Sequence, residues 1–152
     1  MKILILLSLV FSSEVLASGK LLLIGGGKRP LIVLDKMIEL AGTGTGEILI
    51  IPLASEIPAE VAASAKVELA GAGARSVSIY SCTTANVDRV DCLTQIIAAR
   101  LIYFTGGSQN RLNDALKMTK ALELIRARHA VDLHLAGTSA GTAVMSEVML
   151  TG

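Results

Sequence analysis

The chain predicts an α/β domain in which a mostly parallel sheet is covered by helices on both faces, a three-layer α-β-α sandwich. Short apolar runs alternate with longer helix-like segments along its length, as parallel strands joined by crossover helices require. Glycine clusters stand at the ends of three of these runs, where a strand must turn sharply into the next element. At 152 residues and 52% hydrophobic content the chain has material for one domain with a substantial core and no room for two.

Leu21-Leu22-Leu23-Ile24 reads as the first strand, stopped by Gly25-Gly26-Gly27. Pro30 suits a helix start, and Leu31, Leu34, Met37 and Ile38 keep helical spacing to about Leu40, before Gly42-Thr43-Gly44-Thr45-Gly46 breaks the pattern. Ile48–Ile51 is the second strand, ended by Pro52, and an alanine-rich helix runs from about Pro58 to Ala70. Val77–Tyr80 is the third strand, and a loop with a short helix occupies 81–99. Leu101–Phe104 is the fourth strand, closed by Thr105-Gly106-Gly107; one long helix is expected from about Asn110 to His129 and a fifth strand from Val131 to Ala136.

The N-terminus carries a second kind of signal. Lys2 precedes the apolar run Ile3–Phe11, and Val15 and Ala17 occupy the −3 and −1 positions of a cut after Ala17. This is the layout of a secretory signal over residues 1–17, and the run is too short for a membrane-spanning helix, which takes roughly 20 residues. The mature chain, residues 18–152, is then expected to be secreted or periplasmic, with no membrane association after signal removal. A buried strand is the other reading of residues 3–11. The net charge of +1 is unchanged by the cut, which removes Lys2 and Glu14. Lysines and arginines are scattered and aromatics scarce, so a nucleic-acid partner is not expected. Cys82 and Cys92 could close one loop as a disulfide in an exported protein, or remain separate thiols.

The chemistry concentrates in Gly137-Thr138-Ser139-Ala140-Gly141, a G-x-S-x-G pattern between a strand and a helix start. Such a turn lifts a serine to the apex of a strained bend, where flanking Cβ atoms would clash and the following N–H groups can stabilise an oxyanion. Gly106-Gly107 permits a close backbone approach to the same carbonyl oxygen together with the Ala140 amide, although the pair taken alone reads first as an ordinary tight strand-to-helix turn. Gly25-Gly26-Gly27-Lys28 lacks phosphate-loop spacing, and no dinucleotide fingerprint opens a helix. His129 and His134 fall on different elements and the cysteines are not in C-x-x-C spacing, so no metal is expected. Nor can either histidine serve Ser139. His134 lies about 16 Å back along an extended run, His129 lies further still, and Glu147 is about 12 Å down a continued helix. The base of the serine is expected from outside this chain, if there is one.

Leu23–Gly27, Ile51–Ser55, Tyr103–Leu112 and Gly137–Ser146 come in the order and spacing of a known family: together they resemble the cyanophycinase branch of the S51 serine peptidases. The resemblance implies a class I glutamine-amidotransferase-like sandwich, no cofactor, and a serine exopeptidase cleaving cyanophycin or related β-aspartyl peptides to dipeptides. It implies Ser139 as nucleophile, Gly107 and Ala140 as oxyanion donors, and Gln109 and Arg111 as substrate-pocket residues. The family commonly has Asp where this chain has Ser108, a departure that bears on substrate preference. Its histidine and acidic partners follow the elbow, so residues 18–152 are read as the N-terminal part of a family domain, incomplete at its C-terminus. A dipeptidase acting on N-terminal aspartate and a catalytically inactive, vestigial binding domain are the alternatives; homo-oligomerisation is left open.

Overall fold

The computed structural model describes residues 18–43 and 45–149; the expected export signal lies outside them. Five strands, β1 (Leu21–Ile24), β2 (Ile48–Ile51), β3 (Val77–Ile79), β4 (Leu101–Phe104) and β5 (His134–Thr138), form one parallel sheet in the order β1-β5-β4-β2-β3. Six helices connect or follow them: α1 (Leu31–Gly42), α2 (Pro58–Gly71), α3 (Val90–Ala98), α4 (Gln109–Leu116), α5 (Lys120–His129) and α6 (Ala140–Ala143). The expected α/β class therefore holds, with an entirely parallel sheet flanked by helices.

Side-chain alternation along the central strands divides the core. Ile48, Ile50, Leu101, Tyr103 and Ala136 pack with Leu34, Met37 and Leu69 of α1 and α2. Leu49, Ile51, Ile102, Phe104 and Leu135 pack with Ile96, Leu112 and Ile125 of α3, α4 and α5. Strands β2 and β4 are buried along their whole length, which is why they read as unbroken apolar runs. β1, at the sheet edge, leaves Leu21 and Leu23 exposed.

Two expectations need correction. The single helix over 110–129 is two helices, broken at Lys117–Thr119: Met118 takes φ 59°, and the Thr119 hydroxyl accepts the Leu122 N–H at 3.2 Å to cap α5. The fifth strand begins three residues later than expected. Val131, Asp132 and Leu133 all donate backbone N–H groups to the Arg128 carbonyl, closing the end of α5 before the chain can extend.

Cys82 and Cys92 form a disulfide, Cα atoms 6.0 Å apart, tying the end of β3 to α3. Closing a loop of that sequence separation stabilises the fold by about 3 kcal/mol in a chain-entropy account.

At the opposite end of the sheet from the glycine loops, His134 Nδ1 accepts the Lys20 N–H at 3.0 Å, anchoring the entry to β1. That bond requires Nδ1 unprotonated. Burial first, then the positive charges of Lys20 and Arg100, push the His134 pKa down; Asp132 opposes them and His129 adds slightly. The folded state thus binds fewer protons here than the unfolded chain, so stability falls as pH drops below about 6.5 and levels off beneath the folded pKa. We expect melting temperatures to fall between pH 7.5 and 5.5 in the wild type and less so in His134→Asn, whose amide oxygen accepts the same N–H. Thermal unfolding across that range checks it.

Candidate active site

The parallel register brings Ile24, Thr138, Phe104 and Ile51 to one edge of the sheet, so the loops that follow β1, β5, β4 and β2 are neighbours there. The loops after β1 and β2 lead to helices on one face, and those after β4 and β5 to helices on the other. Adjacent loops departing to opposite faces open a crevice, the usual ligand site of an open parallel sheet.

Ser139 stands in that crevice, exposed, with φ 51° and ψ −115°. Such a backbone costs a non-glycine residue about 1–3 kcal/mol and survives only where its surroundings enforce it. The Ser139 N–H donates to the Ile24 carbonyl at 2.9 Å, and the Ser139 carbonyl accepts the N–H groups of Thr142 and Ala143 at 2.9 and 3.0 Å. The glycines on either side are steric necessities. A Cβ on Gly137 would press into the Gly141 carbonyl and lie 2.7 Å from Thr142 N, while one on Gly141 would lie 2.7 Å from the Phe104 carbonyl carbon.

Two further glycines wall the serine. A Cβ on Gly26 would come 3.7 Å from the Ser139 Cβ, and one on Gly106 would come 3.6 Å from it. Gly107, at φ +141°, packs so closely on the Ala54 carbonyl that no side chain fits, and the Ser108 N–H donates to that carbonyl at 2.9 Å. Among the described residues, no backbone–backbone bond outside the regular elements engages the Gly107 or the Ala140 N–H. The helix expected behind Ser139 is a single turn, so its dipole is far weaker than that of a long helix and the Ala140 N–H itself is the useful feature.

Gln109 and Arg111 lie on the first turn of α4, directly after this loop. Arg111 Nη2 pairs with the exposed Glu56 at 2.9 Å and Nη1 donates to the Ala54 carbonyl at 3.4 Å. It borders a cleft of about 340 Å³ formed with Pro52, Ser55, Pro58, Tyr80 and the disulfide residue Cys82. Ser108 caps α4, its hydroxyl accepting the Arg111 N–H at 3.2 Å. An aspartate there could make the same cap, so the departure from the family pattern removes a charge without removing the helix start.

The histidines are placed as their spacing implied. His134 opens β5 at the far edge of the sheet, and His129 Nδ1 lies 2.9 Å from the Leu133 carbonyl at the end of α5. Glu147 requires a correction, because α6 stops at Ala143 and the helical distance to Glu147 does not apply. Glu147 instead borders a groove of about 410 Å³ with Leu21, Leu135, Val144 and Met145. Among the described residues, metal-ligating atoms gather at Cys82, Asp91 and Cys92, where the disulfide engages both sulfurs.

Three contributors were not legible beforehand. Gly26 belonged to a glycine run read as a strand stop and as part of a family motif, with no contact to the serine assigned to it. Arg29 holds that run in place: Nε and Nη2 pair with Glu68 at 2.8 and 2.7 Å, and Nη1 donates to the buried Tyr103 hydroxyl at 3.0 Å. Burial, the dominant effect, raises the Tyr103 pKa and keeps that hydroxyl protonated. Thr142 reaches back to β1 across 118 positions. The basic pair Lys28-Arg29 directly after the glycine loop was the available hint of Arg29.

Known proteins resemble this chain in sequence and fold. The chain is 35% identical over 126 residues to cyanophycinases of Trichormus variabilis and Nostoc sp., an alignment covering 79% of the chain and 41% of each relative. It therefore spans about two fifths of their length. A crystal structure of a peptidase from an acI-B1 Actinobacterium superposes with a TM-score of 0.73 at 27% identity, over 85% of this chain and 57% of that one. A putative peptidase E from Listeria monocytogenes gives 0.63 at 25% identity, over 84% and 61%. The family profile of peptidase family S51 matches residues 21–152, from the first strand through the serine turn, and the chain belongs to that family of serine-type hydrolases.

Proposed function

We propose that the protein is a cyanophycinase-like exopeptidase in which Ser139 attacks the carbonyl of a β-aspartyl peptide. The observation that carries this reading is Ser139 itself, exposed in an enforced positive-φ turn between two glycine loops. Attack of its Oγ on the carbonyl carbon places the developing oxyanion against the Gly107 and Ala140 N–H groups. A proton acceptor takes the hydroxyl proton and returns it to the leaving amine, and water then hydrolyses the acyl-enzyme. No imidazole of the described residues stands near Ser139, so the acceptor belongs to a part of the protein outside them. Export is supported by the residue 1–17 pattern and by the Cys82–Cys92 disulfide, a bond that persists in oxidising compartments.

Arg111 is the specificity element. Its ion pair with exposed Glu56 is worth no more than about 1 kcal/mol, so a substrate carboxylate can displace Glu56 at little cost. Arg111→Ala is expected to lower kcat/KM on β-Asp-Arg by about 10- to 100-fold, the value of a hydrogen-bonded charge, while leaving the melting temperature nearly unchanged. Rates on β-Asp-Arg and on Asp-X dipeptides, measured side by side, decide between the cyanophycin and aspartyl-dipeptidase readings. The uncharged Ser108 and the likeness to the putative peptidase E favour the second. Preference for Asp-X would move the protein to that branch, and no hydrolysis of either by the protein with its proton acceptor would leave it an inactive member.

A further inference from the structure

We propose that Thr142 is the positioning residue of the nucleophile turn, its hydroxyl fastening the turn to the end of β1 and fixing where Ser139 stands between the two glycine walls. The inference rests on Ser139 being the nucleophile.

The Thr142 Oγ1 accepts the Ile24 N–H at 3.1 Å and shares its proton between the Ile24 carbonyl at 2.7 Å and the Gly137 carbonyl at 2.5 Å. This differs from the common threonine habit of bonding its own helix, where the acceptor is the carbonyl four residues back. Here the partners are the last residue of an edge strand and the residue before the bend. Among the described residues β1 pairs with β5 alone, and at its final residue the Thr142 hydroxyl accepts the Ile24 N–H.

The same Ile24 carbonyl also accepts the Ser139 N–H at 2.9 Å, so the hydroxyl and the nucleophile's own amide converge on one oxygen. The other restraints on Ser139 are backbone bonds and glycine contacts. Thr142 supplies the side-chain bond between the turn and β1. Losing it would remove the side-chain link from the turn to the Ile24 and Gly137 carbonyls and free the turn to relax toward an unstrained backbone. The serine hydroxyl would then shift relative to Gly26 and Gly106. A displacement of about 1 Å at a reacting group can cost about 100-fold in rate.

The test compares wild type, Thr142→Val, Thr142→Ser and Ser139→Ala in the full chain, with acylation by an activated aryl ester measured in imidazole buffer, which supplies a proton acceptor from solution. Amide hydrogen exchange at Ser139, Ile102 and Leu135 is followed in parallel. Thr142→Val is expected to slow Ser139-dependent acylation by about 10- to 100-fold and to speed exchange at Ser139 while Ile102 and Leu135 stay protected. Thr142→Ser restores both, which a general loss of packing would not allow. Acylation of Thr142→Val at the wild-type rate overturns the proposal. If Ser139→Ala acylates as fast as wild type, the nucleophile reading falls instead, and Ser139 exchange alone decides the tie: unchanged exchange in Thr142→Val refutes it, and faster exchange rescued by serine sustains it. Should Thr142→Val unfold, Thr142→Cys, a weaker donor of similar size, replaces it with the same two criteria.

Discussion

Ser139→Ala is expected to lower peptide hydrolysis by on the order of 10⁶-fold when the protein acts with its proton acceptor, because the proposed acyl-enzyme forms on the Ser139 hydroxyl. The fold should not register the change. Ser139 is exposed, its side chain caps nothing, and the turn is held through backbone atoms that alanine retains. Thermal unfolding within about 0.5 kcal/mol of wild type, the range of an ordinary surface substitution, is the companion result. The 152-residue chain by itself is a different case. Without a nearby imidazole, its turnover is expected to be lower by about 10²- to 10⁴-fold, the usual worth of general-base help, and to rise with added imidazole in a Ser139-dependent manner. Hydrolysis by the unaided chain at an ordinary enzyme rate would mean that one of its own residues serves Ser139 as the base.

Gly137→Ala is expected to be the most damaging single substitution near the site. Its Cβ would meet the Gly141 carbonyl and, at 2.7 Å, Thr142 N, and these are backbone atoms that cannot swing aside. Moving them displaces the Ala140–Ala143 turn, which in turn presses on β4 through the Gly141–Phe104 contact. Overpacking of this kind costs about 3 kcal/mol, or roughly 10 °C in Tm for a domain of this size, and Ser139 acylation should fail with it. Gly25→Ala is the control. A Cβ there meets nothing within 4 Å, so calorimetry should find it close to wild type. Equal melting temperatures for the two variants would contradict the close-packed account of the turn.

Much of this architecture was visible in the residue pattern, for reasons that also explain the misses. β2 and β4 were read with their observed bounds because Ile48–Ile51 and Leu101–Phe104 are buried on both faces and tolerate nothing polar, and β1 because its apolar run is cut off by Gly25-Gly26-Gly27, although its edge position leaves Leu21 and Leu23 exposed. β5 misled because it opens on His134 and closes on Gly137 and Thr138 at the site, while the more strand-like Val131 belongs to the turn that ends α5. The break between α4 and α5 turns on the positive φ of Met118, which no local propensity favours. At the site, Ser139 and Gly107 announced themselves through glycine spacing. Thr142 and Arg29 act across distances in sequence that only the folded chain closes, whereas the Cys82–Cys92 bridge, ten positions long, was one of the two readings of the cysteines. Glu147 was measured along a helix that ends after one turn.

The central claim is that Ser139 is a nucleophile held ready by its turn. Its most direct test is covalent: the protein is incubated with a fluorophosphonate in imidazole buffer, digested, and the modified peptide sequenced by mass spectrometry. We expect one adduct, on Ser139, absent from Ser139→Ala and reduced in Thr142→Val. An unlabelled protein, or an adduct on another serine such as Ser108 or Ser146, would contradict the account.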